Sequence, residues 1–333
     1  METLNLATLP KYLSDEAEAW LLLERLRWGV DGTQVCPHCG SIAAHYFIAA
    51  KSGQRTTRTG NFTYRRLWKC RDCKQQFSVL VGTVFESSKV PVSKWLLAMW
   101  LMGAGKNGVS ALELQRHLGV AYQTAWFIGH RLRETMTREP LAALLSGTVV
   151  ADETYVGGKP KNRHQQGRRR GDYVRDNGKG AGSPKDKTPV FALVEKGSGQ
   201  VRAHTMTTVD GSNLRKSIER QVDMPTTVLH TDGLQAYRAI GADMAGHEFV
   251  DHSAAEYVRD DVSTNLAESF FAQFKRSLDG TFHNVSPAHL DRYVDEFSYR
   301  WNTRKMTDQA RIQGIIDGAV GKRLTYRPLT ERG

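Results

Sequence analysis

The sequence predicts an α/β domain, a mixed sheet with flanking helices, preceded by a small cysteine-bearing module and a helical segment. Two cysteine pairs of equal spacing predict the module. Apolar residues at three- and four-residue spacing between Pro91 and Thr137 predict the helices. From Gly147 onward, apolar strand-like runs alternate with helical patterns, which is typical of an α/β fold.

The composition indicates a folded protein that binds a polyanion. With 333 residues, 40% of them hydrophobic, the chain has enough apolar side chains for one large domain or two to three smaller ones, which excludes a disordered protein. The formal net charge of +11 favours nucleic acid over an acidic small molecule as the partner. No apolar run approaches the roughly 20 residues that cross a bilayer. No secretory signal pattern is visible, so we expect no membrane association and a cytoplasmic location.

All four cysteines lie in two pairs of the same spacing, separated by 30 residues. Without an export signal, such pairs hold zinc far more often than they form disulfides. Four thiolates satisfy the closed tetrahedral site of one structural Zn²⁺. A helix that begins near Ser14 or Asp15 is expected to pack beside this module. The expected structure is a zinc ribbon with the ligands Cys36, Cys39, Cys70 and Cys73.

The helical segment has the pattern of a helix-turn-helix. Ser110 is placed to cap a short helix, Gly119 stops it, and a second helix is expected from Tyr122 to Arg133. Early residues of the second helix of such a motif reach base edges in the major groove of DNA. Ordinary helical linkers also contain two helices joined by a glycine turn, and this alternative stays open. We expect Gln123 and Thr124 to contact base edges. We expect Arg131 and Arg133 to lie nearer the phosphates.

A long basic segment interrupts the α/β part of the sequence. Residues 157–188 contain ten Lys or Arg, three Asp and seven Gly, with no apolar period. Basic side chains without a helical or strand frame suit DNA phosphates better than base edges. We therefore expect Arg168, Arg169 and Arg170 to bind the DNA backbone.

Three acidic residues stand out by their positions. Asp152 lies in the apolar strand predicted from Thr148 to Val156, Asp232 ends another apolar strand 80 residues later, and Glu268 follows after 36 more on a helix. This order and spacing match a ribonuclease H-like fold, in which three carboxylates converge from two strands and a helix. Like charges at short distance repel strongly. Two Mg²⁺ ions neutralise such a set and support phosphoryl transfer.

The helix around Glu268 has one polar stripe. At 100° per residue, Asn265, Glu268 and Lys275 share a face, where Lys275 is placed to hold a DNA phosphate. An ordinary solvated helix carries similar residues, and the two acids on apolar strands are what favour a site here. Glu153 is not counted as a ligand because side chains alternate along a strand, so it should point away from Asp152.

These motifs resemble the DDE-type insertion-sequence transposases of the ISXO-like branch over nearly the whole chain. The cysteine pairs are similar to that branch's zinc ribbon. Asp152-Glu-Thr-Tyr-Val-Gly-Gly158 is similar to its first catalytic strand, and His230-Thr-Asp-Gly233 resembles its second motif. Most specific is the run Thr264-Asn-Leu-Ala-Glu-Ser-Phe-Phe-Ala-Gln-Phe-Lys-Arg276, which continues through Gly280-Thr-Phe-His283 to Asp295-Glu-Phe-Ser-Tyr-Arg-Trp-Asn302.

The resemblance implies metal-dependent DNA cleavage and strand transfer of a mobile element. Asp152, Asp232 and Glu268 are then the catalytic ligands of two Mg²⁺ (or Mn²⁺) ions, with Asn265 and Lys275 as auxiliary residues. Members of the wider family have Asn or Glu as the third residue. Glu268 is preferred because a carboxylate binds a divalent cation better than an amide does, and because its offset to Lys275 is the usual one. The implied partners are double-stranded DNA, both element ends and target, and further copies of this chain assembled on it.

The expected organisation has four parts. They are an N-terminal helix with the zinc ribbon (1–85), a helix-turn-helix segment (86–145), the catalytic domain (146–310) and a tail (311–333). The expected function is a transposase that binds the terminal inverted repeats of its element, in the prokaryotic cytoplasm at the nucleoid. Two alternatives remain. One is a structure-selective DNA nuclease of the same fold, and the other is a zinc-ribbon DNA-binding regulator, which would need one of the three acids to be lost.

Overall fold

The computed structural model describes residues 5, 7–42, 45–48, 54–56, 62–137, 143–157, 187–251, 254 and 256–330. Contacts group the chain into two compact units, called here unit 1 (Met1–Arg138 with Thr303–Gly333) and unit 2 (Glu139–Asn302). The cysteine pairs and the helical segment lie in unit 1, and the α/β domain is unit 2. Residues 303–310, expected in the α/β domain, group with unit 1 instead. The four-part division otherwise stays a prediction.

The elements are numbered in chain order. The helices are α1 (Leu9–Ser14), α2 (Glu16–Trp28), α3 (Val92–Ala104), α4 (Ala111–Leu118), α5 (Tyr122–Met136), α6 (Gly211–Glu219), α7 (Arg238–Gly241), α8 (Asn265–Ser277), α9 (Pro287–Asn302), α10 (Asp308–Asp317) and α11 (Tyr326–Thr330). The strands are β1 (His45–Ile48), β2 (Gln54–Thr56), β3 (Phe62–Tyr64), β4 (Leu67–Cys70), β5 (Gln76–Phe77), β6 (Leu145–Val156), β7 (Thr188–Glu195), β8 (Val201–Thr205), β9 (Val222–Asp232), β10 (Gly246–Val250), β11 (Val258–Arg259) and β12 (Val262–Ser263). None of the described helices combines the length and the apolar character that crossing a bilayer requires.

The helix boundaries of unit 1 follow the capping signals in the sequence. Asp15 begins α2 by accepting a hydrogen bond from the Ala17 backbone N–H at 2.8 Å. The Ser110 hydroxyl accepts from the Glu113 N–H at 3.1 Å and begins α4. Gly119, with φ of 57°, adopts the left-handed conformation that ends α4. The predicted pair of helices joined by a glycine turn is therefore confirmed, and α5 extends beyond its predicted end to Met136.

The cysteine pairs lie in two turns of matching backbone geometry. The residue that follows each pair has a positive φ, 73° at Gly40 and 61° at Lys74. Strand β4 pairs antiparallel with β1 and with β5. β5 is only two residues long and ends at Phe77.

The four thiol groups converge on one point. Their Sγ atoms all lie within 4.8 Å of one another, and the Cys36–Cys73 and Cys39–Cys70 Sγ distances are both 3.7 Å. A tetrahedral Zn²⁺ with Zn–S bonds of about 2.3 Å requires sulfur atoms roughly 3.8 Å apart. The cluster therefore has the geometry of a structural zinc site.

A buried carboxylate ties this module to the N-terminal helices. Glu24 of α2 is 8% exposed. It accepts hydrogen bonds from Arg66 Nε and Trp68 Nε1, each at 3.0 Å. Trp68 belongs to β4, so the expected packing of the N-terminal helix beside the ribbon is confirmed.

Unit 2 is built on a five-stranded mixed sheet in the order β8-β7-β6-β9-β10. The first three strands of unit 2, β6, β7 and β8, are antiparallel neighbours. β9 runs parallel to β6, and β10 runs parallel to β9. This order and these directions are those of a ribonuclease H-like sheet, which confirms the predicted fold class.

Both faces of the sheet are covered. Val150, Ala192 and Phe270 belong to the apolar cluster beneath α8 and α9. Val149, Leu214 and Ile240 belong to the opposite cluster beneath α6 and α7. Successive residues of β6 therefore enter two different cores, as the alternation of side chains along a strand requires.

The α9 helix protects the outer edge of the sheet at β8. The Val201 N–H donates to Asn302 Oδ1 at 2.7 Å, and the Asn302 side chain donates to the Val201 carbonyl at 2.8 Å. The Thr205 N–H donates to Asp291 Oδ1 at 2.7 Å. These bonds satisfy backbone groups that an edge strand would otherwise present to another chain.

We expect the zinc site to be needed for folding of the cysteine-bearing module, because binding free energy at a structural zinc site is folding free energy. Elemental analysis should find one zinc per chain. The Cys36→Ser/Cys39→Ser variant should lose that zinc and begin thermal unfolding at a lower temperature. A variant that lost zinc but unfolded like the parent chain would contradict the assignment.

Candidate functional site

Asp152 faces the side of the sheet that α8 covers. It pairs directly with Ala192 of β7 and lies two residues after Val150, and both of these residues belong to the core beneath α8. Because side chains two apart on a strand share a face, the Asp152 carboxylate points to the α8 side. Asp152 is half-buried.

Asp232 ends the neighbouring strand on the same side. β6 and β9 are parallel, with Val150 opposite His230. Two further residues along each strand bring Asp152 and Asp232 to adjacent positions at the carboxyl end of β9. Asp232 Oδ1 accepts a hydrogen bond from the Leu234 N–H at 3.0 Å, which closes the turn after the strand.

Glu268 lies in the first turn of α8. Its Oε1 accepts a hydrogen bond from the Thr264 hydroxyl at 3.1 Å. Asn265 is the first residue of the helix, and Lys275 lies in its last turn. All three residues of the predicted polar stripe are exposed, while Phe270, Phe271 and Phe274 of the same helix are in the core.

The charges of the other two acids influence the pKa of Asp152. Burial, followed by the negative charges of Glu153, Asp232 and Glu268, raises the pKa of Asp152 to about 8, against a lowering by the hydrogen bond from the Glu153 backbone N–H. Burial and, to a smaller extent, the charge of Asp232 raise the pKa of Glu153 to about 7, against a lowering by the hydrogen bond from Tyr237. The structure therefore brings the sequence-predicted acids into one negatively charged cluster.

Glu153 lies on the opposite face of β6, as the strand alternation predicted. The Tyr237 hydroxyl donates to Glu153 Oε2 at 2.5 Å, and Tyr237 belongs to the core beneath α6 and α7. Sequence reasoning missed Tyr237, since a tyrosine five residues after Asp232 carries no signal of the strand that it contacts. His230, two residues before Asp232, is 5% exposed, and burial lowers its pKa.

The helix-turn-helix residues divide into exposed and buried positions. Gln123 is exposed and Thr124 is half-buried at the start of α5. Arg131 is 6% exposed and Arg133 is 3% exposed. Arg131 donates to the Glu86 carbonyl at 2.7 Å and lies over the Phe127 ring at 5.1 Å. Burial of both arginines disfavours the expected phosphate contacts, and a role for Arg131 and Arg133 in DNA binding stays a prediction.

The basic segment lies outside the described residues. The structure describes the chain up to residue 157 and again from residue 187. Arg168, Arg169 and Arg170 all fall between these limits, so their role in binding the DNA backbone stays a prediction.

Two family models match the chain. Residues 144–302 match the ISXO2-like transposase domain, which covers nearly all of unit 2. Residues 14–76 match the transposase zinc-ribbon domain, which includes the four cysteines.

One relative matches almost from end to end. It is an uncharacterized protein in transposable element ISH50 of Halobacterium salinarum, 30% identical over 316 residues, which are 93% of this chain and 99% of that protein. Among solved structures, a chain of the simian T-cell lymphotropic virus intasome in complex with PP2A regulatory subunit B56 gamma matches with 14% identity and a TM-score of 0.27, over 57% of this chain and 64% of that chain. A chain of a pre-cleavage Mos1 transpososome matches with 13% identity and a TM-score of 0.26, over 62% of this chain and 73% of that one. By the end-to-end relative and the two family models, this chain belongs to the ISXO2-like family of insertion-sequence transposases.

Proposed function

We propose that the protein binds the terminal inverted repeats of its insertion sequence and catalyses divalent-metal-dependent cleavage and strand transfer of DNA. Asp152, Asp232 and Glu268 are the proposed catalytic residues. The observation that carries the proposal is their convergence from β6, β9 and α8 into one cluster, in which each of the other two acids raises the pKa of Asp152. Clusters of perturbed carboxylates of this kind occur preferentially at functional sites.

The donor set fits hard divalent cations. Mg²⁺ and Mn²⁺ prefer carboxylate oxygens. Asp152 and Asp232 are half-buried and Glu268 is exposed, and the mutually repelling charges of the three acids require compensation. A pair of such ions would stabilise the attacking and leaving oxygens of a phosphoryl transfer. The three acids do not form a cluster as tight as the four thiols, whose ligand atoms lie within 4.8 Å, and two ions roughly 3.5–4 Å apart suit that wider spacing.

Glu268 is the better candidate than Asn265 for the third ligand. The charge of Glu268 contributes to the raised pKa of Asp152, which places the two side chains within electrostatic reach. Only Glu268 brings a negative charge to the cations. We assign Asn265, at the first position of α8, an auxiliary role in orienting a ligand. Lys275 lies seven residues after Glu268, roughly 10 Å along the helix, where it would hold a DNA phosphate.

Recognition of the element end is proposed for unit 1. The first turn of α5 offers Gln123 and Thr124 for base edges, and the remainder of the helix is largely buried. The zinc ribbon would stabilise the unit that carries these residues. Joining two element ends to one target requires more than one active site, so we propose that copies of the chain assemble on DNA at the nucleoid.

The acids are tested by a nicking and joining assay on a labelled element end. Asp152→Asn, Asp232→Asn and Glu268→Gln keep side-chain shape and remove charge, so each should reduce Mg²⁺- or Mn²⁺-dependent nicking to background while end binding and folding persist. Asn265→Ala should lower the rate by roughly 10–100-fold, as for other groups that orient a ligand. If Asn265→Ala were inactive and Glu268→Gln were active, Asn265 would be the third metal ligand and Glu268 the auxiliary residue. Cleavage without joining by the parent chain would favour the structure-selective nuclease.

Metal affinity should increase with pH. The pKa of Asp152 is about 8 in the metal-free folded state against 3.8 in its reference state, so the protonated form stabilises the fold. This stabilisation of the fold by protonated Asp152 is complete below the reference pKa and is lost as pH rises through 8. Divalent cations bind the ionised carboxylate instead, so a higher pH favours metal binding. The apparent Kd for Mn²⁺, measured by calorimetry on zinc-loaded protein, should fall up to about tenfold per pH unit below the raised pKa. A Kd independent of pH would contradict this.

The two classes of α5 residue should respond differently to substitution. Gln123→Ala should weaken binding to the cognate end by about 1–3 kcal/mol without changing stability or binding to unrelated DNA. Arg131→Ala should instead lower the free energy of unfolding by about 1–3 kcal/mol, because it removes a buried donor from the Glu86 carbonyl. Fluorescence anisotropy and urea unfolding measure these effects. Equal effects of Gln123→Ala on cognate and unrelated DNA would exclude base recognition by this residue.

A further inference from the structure

The two strands that carry the first two acids are not paired with each other at the acids. The register between β6 and β9 ends at Val150 and His230, two residues before Asp152 and Asp232. Each acid is held instead by its outer neighbour. Asp152 pairs with Ala192 of β7, and Asp232 pairs with Val250 of β10. Backbone pairing therefore fixes Asp152 relative to β7 and Asp232 relative to β10. It does not fix the distance between the two acids, which depends on other contacts.

A half-buried hydrogen bond connects the two strands beyond the point where their backbone pairing ends. The Tyr237 hydroxyl donates to Glu153 Oε2 at 2.5 Å. Glu153 is the residue after Asp152 on β6. Tyr237 ends the short 3-10 helix Gln235–Tyr237, which follows directly on the turn after Asp232. The bond thus joins the two acid-bearing segments across the point where the backbone ladder stops.

The bond is rigid at both ends. Tyr237 is 0% exposed and packs in the core beneath α6 and α7, so its ring has no room to move away. Glu153 lies in the part of β6, Val149–Val156, that is paired with β7. A short hydrogen bond to a carboxylate is among the stronger ones in proteins, and burial strengthens it further.

We propose that Tyr237 and Glu153 form a positioning pair that sets the separation of Asp152 and Asp232, so that both acids bind the same cations. Neither residue is a metal ligand in this assignment. Glu153 faces away from the acids, and its carboxylate accepts the tyrosine hydroxyl there. This inference rests on the proposed metal-dependent function of the three acids.

The pair is tested by four variants on zinc-loaded protein. Tyr237→Phe removes only the hydroxyl, and Glu153→Ala removes the acceptor. Glu153→Gln keeps an oxygen that accepts the same bond. The double variant Tyr237→Phe/Glu153→Ala completes a double-mutant cycle, which measures the coupling between the two side chains. Two quantities are measured for each: the Kd for Mn²⁺ by calorimetry without DNA, and the metal concentration that gives half-maximal nicking, separately from the rate at saturating metal.

We expect Tyr237→Phe and Glu153→Ala each to raise the Kd and the half-saturating metal concentration by roughly 10–100-fold, the range found when a group that orients a metal ligand is removed. The rate at saturating metal should change much less. The double variant should be no worse than either single variant, because both remove the same bond. Glu153→Gln should behave nearly as the parent chain does.

A matched control separates positioning from general loss of stability. Ser217 of α6 makes a half-buried hydrogen bond of 2.9 Å to His204 of β8, at the far edge of the same sheet. Ser217→Ala should lower the melting temperature without changing metal affinity. If Tyr237→Phe shifted only the melting temperature, as this control does, the positioning role would be overturned.

Two further outcomes distinguish the alternatives. If Glu153→Gln lost metal binding as completely as Asp152→Asn while Tyr237→Phe retained it, Glu153 would be a ligand and the pair would be overturned. If Asp152→Asn itself bound Mn²⁺ and nicked DNA normally, the proposed function would fail, and the inference with it. Should Tyr237→Phe not fold, the comparison of Glu153→Ala with Glu153→Gln carries the same test.

Discussion

The structure of unit 2 depends on one constraint: Asp152 places a carboxylate on β6, a strand whose two faces both pack against apolar cores. Burial and the charges of the neighbouring acids together raise the pKa of Asp152 to about 8. An isolated carboxylate in such a place would remain protonated or destabilise the fold. The proposed cations compensate the whole cluster at once, since the acids lie together where β9 ends and α8 begins. The sheet, α8 and the turn after Asp232 all serve that convergence.

The scaffold that holds the acids is fixed by apolar packing and by protection of the sheet edge. α8 contributes Phe270 and Phe274 to the core, so the opposite stripe with Glu268 is held outward. α9 covers the edge of β8 through Asn302 and Asp291. Trp301 Nε1 also donates to the Gly199 carbonyl at 3.0 Å. The run of residues that carries the family resemblance therefore includes both the proposed ligand Glu268 and residues that stabilise the sheet edge, such as Asn302.

Packing also limits what unit 1 can offer to DNA. The second helix of the predicted motif is buried along most of its length, and its two arginines serve the interior. Arg131 lies over the rings of Trp95 and Phe127, at 5.7 and 5.1 Å, and donates to a backbone carbonyl. Only the first turn of α5 is left for base contacts. A basic residue on a helix therefore predicts a phosphate contact only when the structure shows that its side chain is exposed.

The sequence by itself determined the features that depend on near neighbours in the chain. The spacing of the cysteines predicted the ligand set, Ser110 and Gly119 predicted the limits of α4, and the alternation along β6 placed Asp152 and Glu153 on opposite faces. Each of these follows from local backbone geometry, which a few adjacent residues decide. Only the tertiary structure decided the burial of Arg131 and the bond between Glu153 and Tyr237, which are 84 residues apart. These depend on which surfaces pack together, and no local period or spacing encodes the partner of a long-range contact.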